Sequence, residues 1–179
     1  DVHGMRYAVR GSFRDGTRQT PLPVYAPAEP SSDFQALTDE VHIDLREIRA
    51  GTSIAIGRFG LSFVPAAHPM PCLAVSVSAG GRRLVYTGDT GWDSGVIDFA
   101  RNADLLLAEA SLNDASADSG PKLGHLTARE VGEMARQAGV RKVLLTHLWP
   151  EFNLDSLLAE AREVLPEAEL AEEGRVYEI

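Results

Sequence analysis

Residues 83–91 read Arg-Leu-Val-Tyr-Thr-Gly-Asp-Thr-Gly. A short apolar run gives way at once to a Gly-Asp-Thr-Gly turn, so a strand is expected to end near Tyr86 with Asp89 just beyond it. The pattern of the chain changes at this point. Upstream lie paired strands: residues 53–56 and 61–64 around a Gly57–Gly60 turn, then 73–77 and 83–86 turned at Ala79-Gly80-Gly81. Downstream, strands alternate with helices. Asp93 caps a helix running to about Asn102, and residues 104–108 form a strand built from a Leu run. Thr127 starts a helix whose apolar positions are Val131, Met134 and Ala135, and Gly139 ends it as a left-handed stop. Residues 142–146 form a continuous apolar strand, and Asn153 or Asp155 caps a helix to Leu165. Two short strands are expected near Leu170 and Val176. A meander followed by strand–helix alternation describes an α/β domain of layered sheet and helices.

The N-terminal stretch is less regular. Residues 1–10 resemble the end of an element, residues 10–20 read as a polar loop, and Val24-Tyr25 sit between prolines as an edge strand. Ser31, Ser32 and Asp33 offer N-caps for a short helix through Leu37, and residues 42–48 alternate as a half-buried strand.

With 179 residues, 44% hydrophobic and 24% charged, the chain is expected to fold as one domain. Its formal net charge of −9 argues against a large nucleic-acid footprint, which requires a basic stripe to replace counterions on phosphates. A small anionic substrate is compatible with that charge, because bound cations would supply local positive potential. Cys72 is the single cysteine, which rules out an internal disulfide framework and favours a cytoplasmic setting. No apolar run reaches the length of a membrane helix, so no membrane partner is expected.

Residues capable of metal chemistry recur after strands. His68 follows the strand at 61–64, Asp89 the strand at 83–86, Glu109 the strand at 104–108 and His147 the strand at 142–146. Loops beyond strand ends converge, and sheet-based sites collect there. Neutral imidazoles and a carboxylate suit zinc, manganese or iron, and the two oxygens of Asp89 could bridge two ions. Each residue alone has a blander explanation. A lone His is more often a packed or surface residue, Asp89 could stabilise its own turn, and Glu109 could accept from a buried backbone group. His125 could merely flank a helix start, while His3 and His42 follow no strand and read as structural or exposed. The register of four strand ends outweighs these alternatives.

The motifs 67–72 (Ala-His-Pro-Met-Pro-Cys), 86–91, 106–111 (Leu-Leu-Ala-Glu-Ala-Ser), 124–128 (Gly-His-Leu-Thr-Ala) and 144–148 (Leu-Leu-Thr-His-Leu) occur in that order. Together they resemble the later motifs of metallo-β-lactamase-fold hydrolases, closest to ribonuclease Z and its phosphodiesterase relatives. The resemblance implies a four-layer αβ/βα sandwich with its N-terminal part missing. It implies two divalent ions, zinc before manganese, with His68 on the first, Asp89 bridging and His147 on the second. It also implies His125 and Glu109 as the catalytic pair, His125 stabilising the transition state or protonating the leaving oxygen and Glu109 orienting its ring. The family's leading motif, His-x-His-x-Asp-His, is absent from these residues. The chain therefore resembles a fragment, expected to bind metal weakly and to be inactive alone. Dimers are common in the family, so a homodimer is a further expectation. Three functions follow from the resemblance: a phosphodiesterase on small substrates such as cyclic nucleotides, a tRNA 3′-end endonuclease, or another hydrolase or catalytically dead interaction domain of this fold. The 21 positions from His68 to Asp89 hold one hairpin and no room for the tRNA-gripping arm that bacterial ribonuclease Z enzymes place there, which favours the first.

Overall fold

Apolar residues two apart along the later strands, and three to four apart along the later helices, face the same buried layer. In the computed structural model, which describes residues 2–119 and 123–179, the chain divides into two compact units, Asp1–Arg49 and Ala50–Ile179.

In the first unit, helix α1 (Val2–Arg14) is followed by strand β1 (Leu22–Pro27), helix α2 (Ser31–Ala36) and strand β2 (Ile43–Ile48). β1 and β2 pair in parallel, from Leu22 against Ile43 to Pro27 against Ile48. The loop expected at residues 10–20 is helical as far as Arg14. Its face Arg6, Arg10, Phe13 has helical spacing, and tertiary partners hold all three. Arg6 donates to the carbonyls of Ala36 and Thr38, Arg10 donates to Asp39 Oδ2 at 3.0 Å, and the Phe13 ring meets the His42 ring edge-on. α2 begins after Pro30 without a side-chain cap, although Ser31 to Asp33 are the residue types that cap.

Asp39 organises this unit. Its Oδ1 accepts from the His42 ring nitrogen at 2.9 Å and from the amides of Val41 and His42. The His42 hydrogen bond, joined by Arg10, holds the Asp39 carboxyl well below the usual carboxylate range. His42 is thus structural, as expected, while the side chain of His3 lies outside the described residues.

The second unit is built on a seven-stranded sheet. Its strands are β3 (Ser53–Ile56), β4 (Phe59–Pro65), β5 (Leu73–Ala79), β6 (Arg82–Tyr86), β7 (Leu105–Glu109), β8 (Val143–Thr146) and β9 (Glu169–Leu170), in that spatial order. β3 to β6 form the antiparallel meander. From β6 to β9 the pairing is parallel. Parallel neighbours require crossovers, and the helices supply them: α3 (Ser94–Ala100) after β6, α4 (Asp114–Ser119) and α5 (Ala128–Ala138) after β7, α6 (Leu154–Arg162) after β8. The short α4 was not expected; Asn113 Oδ1 accepts from the Ser116 amide at 2.7 Å at its start.

One sheet face and the helices share the core. Val85 is level with Leu106, Leu106 with Val143, and Ala108 with Leu145. All four of the large residues are at most 1% exposed and pack with Val96, Val131, Met134 and Leu157 from the helices. Burying side chains of this size contributes about 1.5–3 kcal/mol each. The caps agree with the sequence: Asp93 accepts from the Val96 amide, and Thr127 forms a reciprocal capping box with Glu130. Of the two candidates for α6, Asn153 is the cap. Gly139 ends α5 at φ 63°.

The strand expected near Val176 is absent. That segment is held by the Tyr177 hydroxyl, which accepts from the Glu172 amide and donates to the Leu170 carbonyl, and Val176 is 87% exposed. Among the described residues, no helix is long and apolar enough to cross a membrane.

Because the folded state depresses the Asp39 pKa, its contribution is present above the unfolded value of about 4 and is lost as pH falls through the folded one. Asp39→Asn should therefore lower the melting temperature at pH 7, and the gap from the parent should narrow on acidification below about pH 4, as thermal unfolding at a series of pH values will read.

Candidate metal centre

The parallel strands deliver their chemistry at their C-terminal ends. β6 stops at Tyr86, and the next residues form a turn made possible by Gly88, whose φ is 60°. A Cβ at Gly88 would lie 2.8 Å from Cys72 Sγ and 3.0 Å from the Leu73 carbonyl oxygen, so the turn packs against the start of β5. Burial in this place raises the Cys72 thiol pKa, and burial followed by the Asp89 charge raises that of Tyr86.

Two hydrogen bonds tie the Asp89 turn to the loop carrying His68. The Thr90 hydroxyl accepts from the Ala67 amide at 3.0 Å, and the Gly91 amide donates to the Ala67 carbonyl at 2.8 Å. The His125 loop closes from the other side. Gly124, at φ 84°, is so near that a Cβ there would sit 2.6 Å from Pro69 Cδ and 3.0 Å from His68 Cα.

Glu109, the last residue of β7, lies beneath these loops with no solvent exposure. Its Oε1 accepts from the Thr90 amide at 3.0 Å and from His125 Nδ1 at 2.9 Å. Its Oε2 accepts from the Ser111 amide at 3.0 Å and the Ser111 hydroxyl at 2.9 Å. The His125 ring centroid is 5.3 Å from that of His68 and 5.9 Å from that of His147. His147 Nδ1 is 3.5 Å from Asp89 Oδ1 and 2.7 Å from Ser111 Oγ. His68 Nδ1 lies 3.2 Å from both the carbonyl and the amide of Met70.

All five expected residues thus meet at one sheet edge, graded by exposure. The Glu109 carboxylate is buried, the His125 side chain is 23% exposed, and those of Asp89 and His147 are 34% and 44% exposed. His147 also has φ 55°, uncommon outside glycine and typical of residues held in place at a site.

Donor atoms from Glu109, His125 and His147 lie within 4.8 Å of one another, close enough to hold a cation. Glu109 is nevertheless a poor ligand, because both of its oxygens are already engaged by two donors each. Its position suits an orienter instead. His68, Asp89 and His147 keep free donor capacity at the open side, and two imidazoles with one carboxylate match zinc or manganese.

Residues 7–148 match the family described as Beta-lactamase superfamily domain. The chain belongs to that superfamily. A relative from Bacillus subtilis named Probable metallo-hydrolase YhfI is 33% identical over 99% of this chain and 72% of its own length. The crystal structure of that metallo-beta-lactamase fold protein superposes with a TM-score of 0.89 at 30% identity, again over 99% of this chain and 72% of that one. Ribonuclease Z of Brevibacillus brevis is 37% identical over 100 residues, covering 52% of this chain and 31% of the enzyme. The superfamily member thus has the α/β architecture that the motifs implied, and the Bacillus subtilis relative's name, a metallo-hydrolase, agrees with the donor set described above.

Sequence reasoning passed over Ser111 and the buried threonines Thr87 and Thr90 as site residues. Their signal is positional. Thr87 and Thr90 flank the Gly-Asp pair, Ser111 stands two residues beyond Glu109, and all three are fully buried.

Removing the Glu109 carboxylate would strand the Thr90 and Ser111 amides and the His125 ring N–H. Glu109→Ala should cost roughly 2–5 kcal/mol, measured by denaturant unfolding, whereas Glu167→Ala on the exposed surface should stay within about 0.5 kcal/mol.

Proposed function

We propose that the protein is a metal-dependent hydrolase of phosphodiester bonds, with a small substrate such as a cyclic nucleotide preferred to tRNA. The observation that carries this reading is the Glu109–His125 pair beside Asp89 and His147. With its Nδ1–H directed to Glu109, His125 has Nε2 left to carry a proton. A buried carboxylate at 2.9 Å fixes the orientation and tautomer of the ring.

In this reading His68 would hold one divalent cation, His147 a second and Asp89 both, zinc before manganese. Such a cation, when bound, lowers the pKa of a water toward neutrality and offsets phosphate charge. As water adds to phosphorus and the P–O bond to the leaving group breaks, the His125 imidazolium gives its proton to the departing alkoxide. Glu109 remains ionised throughout and holds the ring in place, so it acts as a positioning residue. A two-ion centre needs donors beyond these three, since catalytic zinc ions generally take three protein ligands each. Within the family the motif His-x-His-x-Asp-His would supply them.

The similarity to ribonuclease Z favours a second reading, tRNA 3′-end cleavage. Two observations support the small diester instead. The interval between His68 and Asp89 is filled by strands β5 and β6 and their turn, and the formal net charge is −9.

The test is to purify the full-length protein, measure its metal by elemental analysis, and compare hydrolysis of a cyclic nucleotide, bis(p-nitrophenyl) phosphate and pre-tRNA. Turnover of the small diesters with bound zinc or manganese is expected. Cleavage of pre-tRNA alone would move the assignment to the second reading, and metal-free protein would refute both. His125→Ala should lower kcat about 10²- to 10⁴-fold with the metal content unchanged. Asp89→Ala and His147→Ala should lose metal as well.

A further inference from the structure

Ser111 has a hydroxyl that is fully buried and meets three polar partners at once. Its Oγ is 2.9 Å from Glu109 Oε2, 2.7 Å from His147 Nδ1 and 3.2 Å from the His147 carbonyl oxygen. A hydroxyl has one proton to give and two lone pairs to receive with. The strongest acceptor in reach is the Glu109 carboxylate, which already accepts from two backbone amides. The Ser111 proton therefore goes to Glu109, and a Ser111 lone pair faces His147 Nδ1. That contact is a hydrogen bond only if Nδ1 carries the ring proton. Asp89 Oδ1, at 3.5 Å from the same nitrogen, is much the more distant acceptor.

We propose that Ser111 is a positioning residue that fixes His147 as its Nδ1–H tautomer, leaving the Nε2 lone pair to ligate metal. The inference rests on the metal-hydrolase reading for the word "ligate", but the tautomer itself does not depend on it. The chain of donors runs from His147 Nδ1–H to Ser111 Oγ–H to Glu109 Oε2. On its other oxygen Glu109 takes the proton-bearing Nδ1 of His125. One buried carboxylate thus sets the tautomers of two imidazoles, one directly and one through a serine. With the opposite tautomer, Ser111 would have to donate to Nδ1. Glu109 Oε2 would then lose its hydroxyl donor, and Nε2, bearing a proton, could not bind a cation.

The backbone supports the same role. His147 is held at φ 55°, and Ser111 Oγ touches both its ring and its carbonyl. Serine and histidine are 36 residues apart and lie just beyond the ends of adjacent parallel strands, with Glu109 level with Thr146. Ser111→Ala should not strand the carboxylate, because the residue 111 amide still donates to Oε2 and Oε1 keeps both of its partners.

The experiment reads the tautomer before any metal is added. Long-range ¹H–¹⁵N spectra of the metal-free full-length protein, at a pH where the imidazoles are neutral, are expected to show His147 protonated at Nδ1, with assignment by His147→Gln. Ser111→Ala should convert that signal toward the Nε2–H form or a mixture, leave His125 unchanged, and weaken zinc binding about 10- to 100-fold in a competition titration. Ser111→Thr, which keeps the hydroxyl, should restore both. A parent spectrum showing His147 protonated at Nε2 would overturn the proposal even if Ser111→Ala failed to fold. So would a Ser111→Ala protein with unchanged tautomer and unchanged zinc affinity. If the parent binds no zinc, the hydrolase reading fails on its own, while the imidazole spectra still decide the role of Ser111.

Discussion

A carboxylate buried without solvent contact is costly unless its oxygens are occupied, and Glu109 meets that constraint with four donors drawn from three separate segments. Two backbone amides, a hydroxyl and an imidazole converge on it. The Thr90 amide is brought to Glu109 by the parallel pairing of β6 with β7. β7 lies between β6 and β8, so the turn after β6 reaches Oε1 and the backbone just beyond β7 curls back onto Oε2. The capping of α5 by Thr127 follows directly after the His125 loop, and the Leu112–Thr127 bridge closes that loop against the segment beyond β7. The helices and the carboxylate are thus parts of one arrangement. Packing aligns the strands, aligned strands present the donors, and the donors make the buried charge tolerable.

Much of this was legible in the amino-acid order, for reasons that are local. β5 and β6 are apolar runs joined by Gly80-Gly81, and α3, α5 and α6 carry cap residues that act within three positions. The titratable residues stand just past apolar strands, where neighbouring parallel loops must meet. The misreadings share the opposite character. Arg10 and Phe13 look like loop residues until Asp39 and His42 are in place to receive them. Val176 carries the right propensity for a strand, yet the nearby Tyr177 hydroxyl, not a ladder of backbone bonds, anchors its segment. Ser111 was invisible as a site residue because its partners are 2 and 36 positions away and only one of them is within reach of sequence pattern.

The site also shows how one functional group, the carboxylate, can be assigned opposite tasks by its surroundings. Asp89 and Glu109 are both carboxylates after parallel strands. Asp89 sits in a glycine-flanked turn and retains a third of its side-chain exposure, whereas Glu109 has none. The first keeps lone pairs available to an incoming group; the second has spent them on the protein. A count of acidic and imidazole groups in proximity does not separate these two cases, but an inventory of hydrogen bonds does.

Gly124 leads to a different kind of conclusion. With no room for a Cβ between Gly124 and Pro69 or His68, and Thr90 and Gly91 bonded to Ala67, the segments bearing His68, Asp89 and His125 are laced into a single rim. None of the three can swing aside without dragging the other two. The approach to the centre therefore lies on its open side, where Asp89 and His147 keep a third and more of their side-chain exposure.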